Sequence, residues 1–164
     1  MEQQDIDDEL SSPGAQEMLT STAAAHLAYT GKDGTPRVIP CGFFWTGNDV
    51  VIATATTAPK VAALSARPDV ALAIDAGNTP EQARSLSIRG RATVEIVDGV
   101  VSEYLAAARQ TMDAEAAAEF ERNVHNMYDQ MARIAIKPTW ARYYDFGAGR
   151  MPRFLKELAE RNLA

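Results

Sequence analysis

Residues 37–60 (RVIPCGFFWTGNDVVIATATTAPK) combine the residue types that hold a phosphate group in proteins. The segment TATTAPK at their end carries three threonine hydroxyls and one lysine, Lys60, around a predicted helix start at Pro59. Backbone N–H groups at a helix N-terminus, hydroxyls and an ammonium group together bind anions. Arg37 stands at the start of the preceding strand and adds a second cation if the two strands pair. Because no glycine-rich nucleotide-binding motif is present, the pattern predicts a sheet-based phosphate site.

The composition limits the classes of protein to which this chain can belong. Its 164 residues are 46% hydrophobic and 23% charged, as in a globular domain that buries a real core. The net charge of −6 argues against a broad nucleic-acid-binding face but leaves room for one cationic pocket. The acidic start, MEQQDIDDEL, shows no secretory signal, and no apolar run approaches the roughly 20 residues of a membrane span. We therefore expect a cytoplasmic protein that binds neither nucleic acid nor a membrane.

Metal and disulfide chemistry is not predicted. Cys41 is the only cysteine, which excludes an intrachain disulfide and a cysteine-based metal cluster. The two histidines, His26 and His125, are too few for a metal or haem site. We interpret Cys41 as a small packing residue and predict no metal ligands.

Hydrophobic periodicity divides the chain into strands and helices. Residues 1–10 contain five acids and are expected to form a disordered or loosely held tail, which leaves residues 11–164 as one domain. A short helix is expected after Ser12-Pro13, and further helices are predicted over 59–67, 101–108, 120–131 and 154–163. Strands are predicted over 26–30, 37–45, 50–54, 70–74, 86–96, 132–136 and 139–146.

The predicted strands indicate a barrel. Tight turns join the first three strands into an antiparallel meander, and Lys137-Pro138 separates the last two. Within 86–96, Leu86, Ile88 and the alternate residues up to Ile96 form an apolar face. A sheet of this size avoids exposed edges most readily by closing on itself. The sequence therefore predicts an α+β fold: an antiparallel β-barrel of six to seven strands with inserted helices.

The order of these elements resembles the pyridoxamine 5′-phosphate oxidase-like family of flavin-binding split β-barrels. The resemblance covers about residues 24–96, with weaker support from 140–146. Three parts carry it: GTPRVIP at 34–40, VIAT at 51–54 leading to Lys60, and LSARPDVAL at 64–72. It is carried by their order and spacing rather than by any single motif.

The resemblance implies a flavin-phosphate site. By position, Arg37 matches the family's first phosphate-binding arginine, Thr54 its threonine and Lys60 its lysine. The chain departs from the family at Ala58 and Pro59, where the oxidases proper have serine and arginine, and Thr56 and Thr57 are candidates to replace the missing hydroxyl. The implied cofactor-binding residues are Arg37, Val38, Ile39, Pro40, Ile52, Ala53, Thr54, Thr56, Thr57, Lys60 and Trp140.

The departures resemble smaller actinobacterial-type relatives that use FMN or the 8-hydroxy-5-deazaflavin coenzyme F-420. The resemblance implies a homodimer with two flavin sites at its interface and a hydride transfer to or from a small unsaturated or aromatic substrate. No catalytic acid or base is nominated. Aromatic side chains that are candidates for the substrate pocket are Phe43, Phe44, Trp45, Trp140 and Tyr144.

Several alternatives stay open. Arg89 and Arg91 are interpreted either as a solvated strand face or as cations for an anionic cofactor tail, and Arg142 shares a strand face with Trp140. Lys60 alone also fits an ordinary first-turn helix residue, and Thr56 and Thr57 fit simple helix capping. The alternative functions are a non-catalytic flavin-binding or carrier protein and a dimeric barrel that has lost its cofactor.

Overall fold

A computed structural model describes residues 1–22 and 24–162. Its sheet has seven strands with the order β2-β1-β5-β6-β7-β4-β3, and every pair of neighbours is antiparallel. The strands are β1 (Ala25–Thr30), β2 (Pro36–Cys41), β3 (Phe44–Trp45), β4 (Val50–Ala55), β5 (Asp69–Ala76), β6 (Arg84–Asp98) and β7 (Gln130–Asp145). The α-helices are α1 (Gln3–Ser11), α2 (Pro13–Ser21), α3 (Pro59–Ala66), α4 (Ser102–Thr111), α5 (Ala114–Met127) and α6 (Arg153–Asn162).

The sheet curls because its two edge strands are consecutive in the chain. β2 and β3 lie at opposite ends of the strand order, yet only Gly42 and Phe43 separate Cys41 from Phe44. Three residue steps span at most about 11 Å, so the two edges must approach each other. The predicted α+β split barrel is confirmed.

The barrel interior is aliphatic. Leu86, Ile88, Gly90 and Ala92 of β6 are buried, as the alternation predicted, but Ile96 beyond them is 49% exposed. Side chains from other strands complete this core, among them Leu27, Ile52, Ile74, Ile134 and Ile136. A second apolar cluster lies where α4 and α5 cover the outer face of β4 and β7. The chain therefore has apolar contacts on both faces of β4.

The predicted break at Lys137-Pro138 is wrong, because residues 130–145 form one strand. Pro138 pairs with Gly90 where the register between β6 and β7 shifts next to Arg89. Such a bulge lets a strand accommodate proline, which has no N–H to donate. Gly90 is required there, since a Cβ on it would lie 2.6 Å from the carbonyl oxygen of Lys137.

Both hairpins of the predicted three-stranded meander are present, but its middle strand is not continuous. The predicted strand 37–45 divides at Gly42 into β2, which pairs with β1, and β3, which pairs with β4. β2 and β4 do not pair, since four other strands separate them in the sheet. The reason is barrel closure: the chain passes from one sheet edge to the other at Gly42.

The N-terminal residues differ from the expected loose tail. They form α1, in which Glu2 and Asp5 make a reciprocal capping box and Ile6 and Leu10 are buried in the main core. Glu9 on the same helix binds Arg142 and Arg150. Acidic composition indicated a solvated segment, but two apolar side chains four residues apart suffice to seat this helix.

The predicted helices after Ser12-Pro13 and over 59–67 are confirmed as α2 and α3. The predicted C-terminal helix corresponds to α6, and Leu163, its predicted last residue, lies outside the described part of the chain. Within the ranges 1–22 and 24–162, no helix has the length and apolar character that crossing a bilayer requires.

Candidate functional site

The segment between β4 and α3 presents a set of hydrogen-bond donors that the rest of the described chain does not use. Ala58 is the N-cap of α3 and makes no side-chain capping bond, and Pro59 occupies the first helical position. The backbone N–H groups of Thr56, Thr57 and Lys60 donate to no described residue. The positive end of the helix dipole adds to these donors. The segment therefore offers an anion three N–H groups at a helix N-terminus.

Side chains add to this donor set. The hydroxyls of Thr54, Thr56 and Thr57 make no hydrogen bond within residues 1–22 and 24–162, and the Lys60 ammonium makes no ion pair there. None of them is a buried group without a partner, so each reaches solvent. We name the set formed by Thr54, Thr56, Thr57 and Lys60 the threonine–lysine cradle.

Lys60 lies close to the end of β2. Burial raises the pKa of the Cys41 thiol to about 11, and the positive charge of Lys60 opposes this increase. The thiol is held 3.6 Å from the carbonyl oxygen of Ala25, to which it donates. Cys41 is thus a protonated, partly buried thiol between β1 and β2, and it marks where β2 approaches the cradle.

Arg37 lies at the other end of β2, and its guanidinium is already engaged. Nη2 of Arg37 donates to Oδ2 of Asp33 at 2.8 Å, and Nη1 donates to the Thr35 hydroxyl. The N–H of Thr35, the Arg37 guanidinium and the Thr35 hydroxyl hold the pKa of the Asp33 carboxyl well below its usual range. Asp33 is therefore a permanent anion that competes for Arg37.

A cleft joins Arg37 to α3. It has a volume of about 470 Å³ and is lined by Arg37, Lys32 and Asp33 on one side and by Pro59 and Ala63 on the other. Both ends of β2 consequently lie beside α3. The sequence predicted that Arg37 and Lys60 would meet if their strands paired, but β2 and β4 do not pair. The structure places Arg37 across the cleft from α3, the helix that carries Lys60.

The edge of β4 next to the cradle is open. β3 has only two residues and pairs with Val50 and Val51, so no strand within residues 1–22 and 24–162 covers 52–55 on the side away from β7. In an antiparallel strand, half of the backbone N–H and C=O groups point to each side. β4 therefore presents unpaired donors and acceptors directly before Thr54.

Other predicted site residues occupy separate surroundings. Ile52 points into the barrel core and is 1% exposed, so only its backbone is available to a ligand. Ile39 packs against the same core, whereas Val38 is 66% exposed and Pro40 is exposed beside it. Ala53 is half-buried and faces α4 and α5.

Trp140 is not part of the cradle in the same chain. Its ring lies 4.4 Å from the Arg89 guanidinium carbon, a cation–π contact on the outer face of the sheet. The pairing registers connect it across five strands to β2, in the row Val38, Ala28, Ala71, Arg89 and Trp140. At about 4.8 Å per strand, the two ends of this row are roughly 19 Å apart.

The other arginines with open roles are held in place by carboxylates. Nη1 of Arg91 lies 2.8 Å from Asp69, and Nη1 of Arg142 lies 2.7 Å from Glu9. Arg89 is the exception, since it contacts Trp140 rather than an acid.

Sequence reasoning missed two features of this region. The first is Asp33, the ion-pair partner of Arg37. Its position four residues before Arg37, across an Asp-Gly turn, was the sequence signal that could have predicted this pair. The second is a cavity between α4, α5 and β4, which no local pattern indicated. In the described ranges, no three His, Cys, Asp or Glu side chains are grouped as metal ligands.

By its architecture this protein is an antiparallel split barrel, with a helix N-terminus at the open edge of β4. Comparison of the sequence with known families is consistent with that class. Residues 12–145 match the family model described as pyridoxamine 5′-phosphate oxidase. The match spans most of the chain, and the protein belongs to this family.

Solved structures share the fold. A conserved hypothetical protein from Mycobacterium tuberculosis is 18% identical with a TM-score of 0.60, and the alignment covers 93% of this chain and 90% of that one. An F420 reductase is 26% identical with a TM-score of 0.57, covering 77% of this chain and 94% of that one. A haem storage protein from Vibrio cholerae is 15% identical with a TM-score of 0.58, covering 79% and 92%. No curated protein matches significantly.

Proposed function

We propose that the protein is a flavin-dependent oxidoreductase that binds FMN or the deazaflavin coenzyme F-420 through the threonine–lysine cradle. The single observation that carries this proposal is the set of unused donors at Thr54, Thr56, Thr57 and Lys60 beside the open edge of β4. Membership of the pyridoxamine 5′-phosphate oxidase family and the likeness to an F420 reductase support it.

The cradle suits a phosphate on physical grounds. A dianionic phosphate accepts several hydrogen bonds, and the cradle supplies hydroxyls, N–H groups and one ammonium within seven consecutive residues. Each charged hydrogen bond contributes about 1.5–3 kcal/mol. The fit does not need the serine and arginine that Ala58 and Pro59 replace, because Thr56 and Thr57 supply hydroxyls immediately before them.

The open edge of β4 suits the ring system. Flavin and deazaflavin rings carry hydrogen-bond donors and acceptors along one edge and supply the hydride-transfer chemistry themselves. The role of β4 is to pair with that edge through its backbone and so to fix the ring orientation. Small side chains at Ala53 and Ala55 let a planar ring approach the strand. No protein acid or base is required at this point.

Arg37 strengthens the phosphate site once it leaves Asp33. Both side chains of this ion pair are exposed at about half of their surface (42% and 57%), and exposed pairs contribute little stability. A phosphate in the cleft competes with Asp33 for the guanidinium. Lys32, which lines the same cleft, supplies a further cation for the longer anionic tail of F-420.

We also propose that the protein is a homodimer, as the family resemblance implies. The outer face of β2, β1 and β5 supports this, since Val38 and Ala71 are exposed there and Ala28 lies between them. The small side chains make this part of the sheet flat enough to pack against a second sheet. Sedimentation or light scattering of the purified protein measures the mass directly.

Absorption spectroscopy and mass analysis of freshly purified protein test the function, followed by titration with FMN and with F-420. The proposal predicts saturable binding of one of them and oxidation of a reduced cofactor by a small unsaturated acceptor. Binding without turnover over a panel of quinones and nitroaromatics supports a flavin carrier instead. Absence of binding to both cofactors contradicts the proposal and supports a barrel that has lost its cofactor.

A further inference from the structure

A cavity outside the cradle lies between α4, α5 and the outer face of β4. Its volume is about 220 Å³. Phe43, Val51 and Ala108 form its floor and are buried, whereas Thr111 and Met112 at its mouth are exposed. The increase in burial from mouth to floor describes a pocket that a small molecule can enter from solvent.

The walls of this pocket are apolar and aromatic. Tyr104 and Phe120 stand on one side, with ring centroids 5.4 Å apart and planes inclined by 53°. Apolar cavities of about 150 Å³ already bind benzene-sized molecules and stay free of water. Two inclined rings offer a third ring both stacked and edge-to-face contacts. The pocket is thus suited to one aromatic ring and is below the roughly 300–1,000 Å³ of pockets for larger ligands.

Charges at the pocket select against ions. Glu103 is the charged residue in its lining, and its Oε1 accepts from Nε of Arg133 at 2.9 Å. This arginine lowers the pKa of Glu103, so the pair stays ionised and its charges balance. A ligand of either charge loses hydration in this apolar pocket and finds no free counter-charge, because Glu103 and Arg133 already neutralise each other. An uncharged ligand avoids this penalty.

One polar group remains for recognition. The Tyr104 hydroxyl makes no hydrogen bond to any residue in the ranges 1–22 and 24–162. Burial raises its pKa, so it is a neutral phenol that can donate one hydrogen bond. Thr111 is less available, since its hydroxyl donates to the carbonyl oxygen of Ala107 at 3.2 Å.

From this geometry we propose that the pocket binds an uncharged, single-ring aromatic molecule with one hydrogen-bond acceptor substituent directed at Tyr104. Binding does not depend on a cofactor. None of the cradle residues Thr54, Thr56, Thr57 and Lys60 lines this pocket, so it is a site separate from the cradle.

The site is tested by titrating the cofactor-free protein with acetophenone, with binding measured by ligand-observed NMR or calorimetry. Saturable binding is expected, with at least tenfold weaker binding of benzoate, which has the same ring and a negative charge. Tyr104→Phe keeps the ring and is expected to weaken acetophenone binding about two- to tenfold. Ala107→Phe fills the pocket and is expected to abolish binding, whereas Ala118→Phe on the exposed face of α5 leaves it unchanged.

Circular dichroism and the melting temperature verify that the variants fold. If Ala107→Phe does not fold, Thr111→Phe at the exposed mouth of the pocket is used in its place. Failure of the wild-type protein to bind acetophenone, equal binding of benzoate, or unchanged binding in the filled variant overturns the site. Because no flavin is present, these results are independent of FMN or F-420 binding. A protein that binds acetophenone but neither cofactor retains this pocket while refuting the oxidoreductase proposal.

Discussion

Asp33 holds Arg37 in a salt bridge of 2.8 Å at the start of β2, beside the cleft that leads to α3. The carboxylate is ionised at all moderate pH values, because its pKa is lowered by the Thr35 N–H and by Arg37. In the proposed function, a phosphate that binds to Arg37 has to displace Asp33 from it. Removal of Asp33 is therefore a direct way to measure that competition.

Asp33→Asn is expected to strengthen binding of FMN or F-420 by about two- to fivefold, since an exposed ion pair of this kind contributes little on its own. Asparagine keeps the shape and one acceptor for Thr35 but removes the charge. Cofactor titration at low salt measures the change. Asp75→Asn, which alters an exposed carboxylate on β5, is the matched control and should have no effect. Weaker binding in Asp33→Asn would mean that the carboxylate supports the site.

Lys60→Ala and Arg37→Ala are each expected to weaken cofactor binding by about 1.5–3 kcal/mol, which is one charged hydrogen bond removed. Affinity measured by fluorescence or absorption titration gives the change. Lys156→Ala on α6 is the control, because it removes the same charge far along the chain from the cradle. Unchanged affinity in both Lys60→Ala and Arg37→Ala would refute the phosphate site.

Glu9→Gln is expected to destabilise the protein by about 1–3 kcal/mol. Oε1 of Glu9 accepts from Arg142 at 2.7 Å, and Oε2 accepts from Arg150 at 2.6 Å and from the Tyr143 N–H at 3.0 Å. Glutamine leaves both guanidinium groups without a counter-charge. Thermal unfolding measures the loss, and Glu17→Gln, which breaks an exposed pair with Arg84, should change the melting temperature far less.

The same carboxylate predicts a dependence of stability on pH. Burial raises the pKa of Glu9, but the Tyr143 N–H, Arg142 and Arg150 outweigh this effect and leave the pKa below its usual range. Its stabilising contribution is complete above the ordinary glutamate pKa of about 4.3 and is lost as the pH falls below that value. Unfolding curves from pH 6 to about pH 3 should therefore show a smaller acid-induced loss in Glu9→Gln than in the wild type.

Gly90→Ala is expected to lower stability by about 1–3 kcal/mol, or several degrees in melting temperature. The new Cβ would lie 2.6 Å from the Lys137 carbonyl oxygen and 2.7 Å from Cγ2 of Ile136. Ser87→Ala on the outward face of the same strand is the control. A melting temperature equal to that of the control would show that the bulge tolerates a side chain.

Local sequence signals identified most elements and the first two hairpins, but not the division of residues 37–45 between the two edges of the sheet. The alternation from Leu86 to Ile96 and the Pro59 helix start depend on neighbouring residues. Both were predicted, although Ile96 at the end of the alternation is exposed. Closure of the barrel is a long-range property. It determines that β2 has β1 as its one neighbour in the sheet and lies apart from β4. The proline at position 138 looked like a strand break because its tolerance depends on Gly90, 48 residues away.

The residues of the candidate site also fall into those that local sequence predicts and those whose contacts depend on the folded structure. Lys60 and the three threonines were visible in sequence, since they lie within seven consecutive residues at a helix start. The engagement of Arg37 by Asp33 depends on the geometry of one turn, and the aromatic pocket depends on packing of α4 and α5 against β4. The packing of α4 and α5 against β4 joins distant segments and leaves no periodic signal in the sequence.

Comparing a phosphorylated cofactor with its phosphate-free form is the most direct test of the central claim. FMN is compared with riboflavin, and F-420 with its phosphate-free chromophore, in the wild type and in Lys60→Ala. The account predicts that the wild type binds the phosphorylated form at least tenfold more tightly, about 1.4 kcal/mol, and that this ratio falls towards one in Lys60→Ala. Equal affinity for both forms in the wild type, or an unchanged ratio in the variant, would contradict a phosphate cradle at Lys60.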